Sequence, residues 1–260
     1  MPRRFESKVV VITGATSGIG EAAAKCFAVE GADVACLGRN IERGSKLVKQ
    51  ISSQAGEAIF VPCDVKDKQQ VEQSIGIVGS KFGKIDVLFN SAGIIPVRMC
   101  EELSEAEWDD CVETNLKSIF LTSKYTLPWL RKTRGVIINT SSELGIRGAA
   151  YYTAYCASKA GVILFTKALA LECAPSSVRV NCVCPGPTDT PMLNSELEII
   201  ARRDNTTPEK IRKSLTDSYI PLHRFASPEE IAKLVMYLAS DEASYATGAV
   251  WTLDGGITSN

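Results

Sequence analysis

The sequence predicts an α/β fold, a doubly wound parallel sheet with helices on both faces, formed as a single domain. Short β-branched runs alternate with longer helical patterns along the chain. The apolar runs are near-continuous rather than alternating, as strands covered on both faces require. The first run leads through a glycine-rich turn into a helix. Such alternation builds right-handed crossovers between parallel strands. A chain of 260 residues can form one α/β domain, and no repeat, low-complexity segment or linker divides it, so 1–260 reads as one unit.

The elements follow in order. VVVIT (Val9–Thr13) opens the sheet and Ile19–Glu30 forms the first helix. DVACL (Asp33–Leu37) pairs with a helix over Glu42–Gln54, and AIFVP (Ala58–Pro62) with one over Lys68–Phe82. IDVLFN (Ile85–Asn90) precedes a long helix, Glu105–Arg131, and GVIINTS (Gly135–Ser141) precedes another, Tyr152–Cys173. VRVNCV (Val178–Val183) is the sixth strand. The rhythm then breaks: residues 187–228 are polar and charged, with weak helical patterns at Ser195–Arg203 and Pro208–Asp217. An excursion of that length after a strand is a functional lid or a disordered insertion. Ligands bind at that sheet edge, which favours a substrate-covering lid. A helix over Pro228–Ala239 and a last strand within GAVWTLDGG (Gly248–Gly256) complete the chain.

Composition narrows the function. With 45% hydrophobic and 23% charged residues and a net charge of -1, no basic field favours nucleic acid or an anionic membrane. The nine cysteines are odd in number, scattered and free of C-x-x-C pairs, which fits reduced thiols in a cytoplasmic setting. Cys182 and Cys184 should share one buried strand face as small hydrophobes. The only histidine is His223, so neither a Ser-His-Asp triad nor a histidine metal cluster can be built, and no metal site is expected. The N-terminal residues lack a signal-peptide pattern. The apolar run Gly161–Cys173, broken by Thr166, Lys167 and Glu172, is too short to span a bilayer. Trp108, Trp129 and Trp251 read as packing residues.

T-G-A-T-S-G-I-G (Thr13–Gly20) makes the first turn tight at Gly14, Gly18 and Gly20. It lets the backbone of Thr16, Ser17 and Ile19 approach a pyrophosphate, which the following helix N-terminus favours electrostatically. Following a strand and opening a helix, the loop predicts a Rossmann-type dinucleotide site rather than a generic turn. At the end of the second strand, Gly38 stands where an NAD site usually carries an acid, and Arg39 and Asn40 follow. The guanidinium fork of Arg39 suits a 2′-phosphate, so NADP(H) is expected over NAD(H); a plain surface arginine is the alternative. Asp64, with Val65 beside it, is placed to accept from an adenine amine. N-S-A-G (Asn90–Gly93, with Ala92) offers small residues beside the adenosine ribose. Both stretches equally suit turn chemistry.

Ser142 ends the fifth strand, and Tyr155 and Lys159 lie one helical turn apart in Y-C-A-S-K on the next helix. A tyrosine exchanges protons near neutral pH only if its pKa falls well below about 10, and a neighbouring ammonium favours the phenolate. A serine hydroxyl can hold the same substrate oxygen. Asn115, in E-T-N-L, could order a water linked to Lys159.

With these motifs, and with P-G-P-T-D-T-P-M (Pro185–Met192) and the C-terminal D-G-G, the chain resembles the short-chain dehydrogenase/reductase family over nearly its whole length. The resemblance implies Asn115, Ser142, Tyr155 and Lys159 as the catalytic set, with Tyr155 as acid/base and Lys159 holding the nicotinamide ribose. It implies that the backbone of Pro185, Gly186 and Thr188, with the Thr190 side chain, meets the carboxamide. It also implies a homotetramer paired through the two long helices. Two positions depart from the pattern: Ser91 replaces the second Asn of the usual N-N-A-G, and Ser17 stands where some NADP-dependent members carry a base. The expected activity is interconversion of a small-molecule carbonyl and a secondary alcohol. The alternatives are a 3-oxoacyl thioester reductase and a non-catalytic dinucleotide-sensing protein.

Overall fold

The computed structural model describes residues 3–53 and 56–259. Its seven strands are β1 (Val9–Thr13), β2 (Asp33–Gly38), β3 (Ala58–Pro62), β4 (Val87–Asn90), β5 (Val136–Thr140), β6 (Arg179–Pro185) and β7 (Val250–Leu253). They form one sheet in the order β3-β2-β1-β4-β5-β6-β7, with every neighbouring pair parallel. The chain runs outward from β1 to β3, then returns across β1 to β4 and out the other way. The crevice where that direction reverses lies between β1 and β4.

The period-2 geometry of the strands divides the core into two layers. Val10 and Ile12 of β1 face α1 (Gly18–Val29), α2 (Ile41–Ser52) and α9 (Pro228–Ala239), packing with Phe27, Leu47 and Val235. Val9 and Val11 face the opposite layer, where Val71 and Ile75 of α3 (Lys68–Phe82) meet Leu130 of α5 (Ser118–Thr133) and Leu169 of α6 (Thr153–Cys173). Helix starts are set by side chains that satisfy orphan N–H groups. Asn40 accepts from Arg43 N, Asp67 accepts from Gln69 and Gln70 N, and Ser227 with Glu230 makes a capping box at α9. Gly83 ends α3 in the left-handed region, at φ 74°.

Four boundaries differ from the sequence expectation in informative ways. Gln54, expected to end α2, lies outside the described residues, and α2 is described to Ser52. The long helix Glu105–Arg131 is instead α4 (Glu105–Val112), a π turn at Glu113–Lys117 and then α5. The wider turn, which the E-T-N-L pattern does not announce, holds Thr114 and Asn115 in the interior. The polar stretch after β6 is ordered as α7 (Pro191–Arg203), capped by Thr190, and α8 (Pro208–Ser214), capped by Thr207. Arg212 ties the two together by donating to Asp189 and Asn194. Finally, α6 with its extension covers Thr153–Ser176, long and apolar enough to cross a membrane by length and composition. Its Tyr155, Lys159 and Val162 are nevertheless buried within the protein.

Cys182 and Cys184 are fully buried on one face of β6, with Ile119 and Val162. Trp129 and Trp251 pack on the core, whereas Trp108 is 40% exposed and does not. His223 is exposed, and its Nδ1 lies 2.9 Å from the Thr216 carbonyl.

Candidate active site

A cavity of about 780 Å³ opens along the C-terminal edge of the sheet, over the crevice between β1 and β4. Parallel strands bring six turns to this edge, and each supplies one wall. From the first turn come Gly14, Thr16, Ser17, Gly18 and Ile19; from the second, Arg39 and Asn40; from the third, Asp64 and Val65. The turn after β4 gives Ala92 and Gly93, and that after β5 gives Ser142, facing Tyr155 and Lys159 of α6. Pro185, Gly186, Thr188 and Thr190 close the far side after β6.

The first turn is shaped for a ligand that touches backbone. Gly14 sits at φ +64°, and a Cβ on it would stand 2.8 Å from Ala92 Cα. Ser17 caps α1 by position, yet its hydroxyl makes no capping bond. That leaves hydroxyl and helix N–H groups facing the cavity, a setting that suits a pyrophosphate. Gly38 packs on Thr16, whose Cγ2 would lie 3.0 Å from an added Cβ, so an acidic side chain there would crowd the loop. Arg39 is exposed on the cavity rim and, among the described residues, no acid pairs with it. These features fit a dinucleotide carrying a 2′-phosphate.

Three expected residues stand behind the wall. Gly20 lets α1 pass against the Gly14 carbonyl. Asn90 is buried in a chain of amides: Thr122 Oγ1 donates to its Oδ1, its Nδ2 donates to Asn139 Oδ1 at 2.9 Å, and Asn139 Nδ2 donates to Thr166 Oγ1. Asn115 clamps the turn after β4, accepting from Ile94 N at 2.8 Å and donating to Ile94 O and Ser158 Oγ. Ser91 N and Ala92 N both donate to Thr13 Oγ1, so the Asn-to-Ser departure at Ser91 leaves that turn anchored by backbone.

The reactive groups are packed together. Lys159 Nζ donates to the Thr140 carbonyl at 2.8 Å and lies 5.6 Å from the centre of the Tyr155 ring. Burial lowers the Lys159 ammonium to about 8. Burial raises the Tyr155 phenol well above its usual range; the Glu143 carboxylate adds to this and the Ser142 hydroxyl opposes it. In the protein alone, burial is the largest influence on Tyr155 and acts opposite to the lowering expected from Lys159 and a bound oxidised cofactor.

The lining residues that were not foreseen include Arg43, Glu143, Tyr152 and Glu196. Glu143 directly follows Ser142, whose Oγ donates to Glu143 Oε2 at 2.7 Å. Tyr152 OH donates to Glu196 Oε1 at 2.5 Å. Spacing held a signal for two of them. Arg43 stands four residues after Arg39, in the first turn of α2, and Met192, Glu196 and Ile200 recur every four residues on α7 and so share a helix face.

A family model described as enoyl-(acyl carrier protein) reductase matches residues 14–258. The chain is 42% identical over 255 residues to the 3-oxoacyl-[acyl-carrier-protein] reductase FabG of Thermotoga maritima, across 98% of this chain and 99% of that one. It is 39% identical over 260 residues to meso-2,3-butanediol dehydrogenase of Serratia marcescens, across 99% and 97%. The crystal structure of L-sorbose reductase from Gluconobacter frateurii, complexed with NADPH and L-sorbose, matches with a TM-score of 0.94 at 30% identity over 100% of both chains. Likeness of this extent, over a sheet of the same kind, makes the chain a member of the short-chain dehydrogenase/reductase family, an oxidoreductase acting on alcohol or ketone groups.

Proposed function

We propose that the chain is an NADP(H)-dependent carbonyl reductase that uses Tyr155 as its proton donor. The observation that carries this reading is the buried Tyr155, which lines the cavity together with Ser142 and Lys159. Bound in the cavity, the cofactor supplies the hydride. The rest falls to side chains of this chain. Ser142 Oγ turns its proton from Glu143 to the substrate oxygen and holds it against Tyr155. The phenol then gives its proton to that oxygen as negative charge builds there. Lys159, anchored on the Thr140 carbonyl, sets its cation behind the phenol and stabilises the phenolate left afterwards. Asn115 fixes the Gly93–Ile94 backbone that walls this end.

Arg39 is the residue proposed to choose the phosphorylated cofactor, and the L-sorbose reductase neighbour is described as an NADPH complex. The family's tetramer would cover Phe120, Leu164 and Leu171, which α5 and α6 leave 47%, 68% and 78% exposed. A second reading, 3-oxoacyl thioester reduction, is favoured by the FabG relative. Both readings are tested by following NADPH consumption with free ketones and with an acetoacetyl thioester. Turnover of free ketones supports the first, turnover confined to the thioester supports the second, and NADPH binding without turnover of either contradicts both.

A further inference from the structure

Around Ser142 and Tyr155 the cavity is a mixed chamber, in which acidic side chains stand among apolar ones such as Ile95 and Leu144. Two carboxylates line it: Glu143, on the turn after β5 and 6% exposed, and Glu196, half-buried on α7. Each gives one oxygen to a protein hydroxyl. Glu143 Oε2 accepts from Ser142 Oγ, and Glu196 Oε1 accepts from Tyr152 OH. Among the described residues no further side chain donates to either carboxylate, so an acceptor oxygen remains on each.

Those oxygens open onto the cavity, where a ligand that brings hydroxyl donors can pair with them. We infer that the substrate is a polyhydroxylated carbonyl compound of the ketose type, its hydroxyls next to the carbonyl donating to Glu143 and Glu196. This inference rests on the carbonyl-reductase reading above. A long acyl chain or a fused hydrocarbon would leave both carboxylates facing methylene groups. A cationic aminoketone fits less well than a neutral polyol, because the chamber is not a bare pair of anions. Burial raises Glu143 to about 7 and raises Glu196 as well, and the Arg147 cation stands near Glu143. A carboxyl group that is partly protonated near neutral pH can accept and donate, as a hydroxyl does. Arg39 and Arg43 lie on the second-turn wall, beside Asn40, and leave the chamber's acceptors to the substrate.

Glu196 is then a specificity residue rather than a catalytic one. The test compares kcat/KM for NADPH-dependent reduction of a ketohexose, 2-hexanone and 1-amino-2-propanone, with an acetoacetyl thioester as a further substrate. The ketohexose is expected to exceed 2-hexanone by about a hundredfold or more, since a site built for hydroxyls rejects their absence. In Glu196→Leu that ratio falls by about tenfold to a hundredfold, mostly through KM, whereas Glu196→Gln keeps an acceptor and retains most of it. Preference for 2-hexanone, the thioester or the aminoketone in the wild type overturns the substrate class and leaves the reductase reading standing. An unchanged ratio in a folded Glu196→Leu also overturns it. Failure to consume NADPH with any of these carbonyls overturns the reductase reading and the inference with it. The wild-type comparison decides the matter even if Glu196→Leu does not fold.

Discussion

Replacing Arg39 by alanine should abolish most of the preference for NADPH while leaving NADH binding nearly unchanged. Arg39 is exposed at the cavity rim without an acidic partner, so its removal leaves no buried charge unpaired. What is lost is one charge-assisted contact to a 2′-phosphate, about 1.5–3 kcal/mol for such a bond. Exposure and salt screening reduce this to about 1–2 kcal/mol, or about a fivefold to thirtyfold rise in the Kd for NADPH. Arg43, four residues on along the same cavity wall, would retain part of the attraction, so the double variant Arg39→Ala/Arg43→Ala should go further. The assay is fluorescence or calorimetric titration of both cofactors at low and high salt, because a preference carried by exposed charges shrinks as ionic strength rises. Equal affinities in the wild type, or an unaltered ratio in Arg39→Ala, would refute the assignment of the 2′-phosphate to this arginine.

Two further outcomes concern stability. Glu143 has its folded pKa raised by burial from 4.5 to about 7, so its contribution is fully present below about 4.5 and is lost as pH rises through about 7. Glu143→Gln fixes the neutral form and should gain on the wild type across that window, by on the order of 3 kcal/mol at its upper end, in thermal or urea melts. A stability gap that stays flat with pH would contradict this. Asn139→Ala should cost about 2–4 kcal/mol in urea unfolding, because it leaves Asn90 Nδ2 without its acceptor and breaks the link from β4 through β5 to Thr166 of α6. A loss well below about 1 kcal/mol would mean that water or repacking replaces the link.

Much of the fold is written locally. β1, β3, α3 and α9 keep the expected limits because β-branched runs and caps such as Asp67 and Ser227 mark them directly. The glycine turn and the Tyr155–Lys159 step are legible for the same reason, since neighbours in sequence are neighbours in space. Other features are set by contacts distant in sequence. The π turn that brings Asn115 inward is defined by what it meets, the Ile94 backbone and Ser158. Tyr152 and Glu196 are 44 residues apart and meet only when α7 folds over the cavity. The direction of the Tyr155 shift depends on how much water is excluded around it, which no spacing records. Asn90 lies in a ligand-edge motif, yet its side chain is committed to the amide chain behind the cavity.

The central claim, that Tyr155 is the proton donor of a carbonyl reductase, is tested most directly by Tyr155→Phe, with NADPH affinity and turnover measured on the same preparation. The account predicts a Kd for NADPH within about twofold of the wild type and a kcat lower by about a hundredfold to ten-thousandfold, the range for a lost general acid. Turnover that survives in Tyr155→Phe, with cofactor still bound, would contradict it.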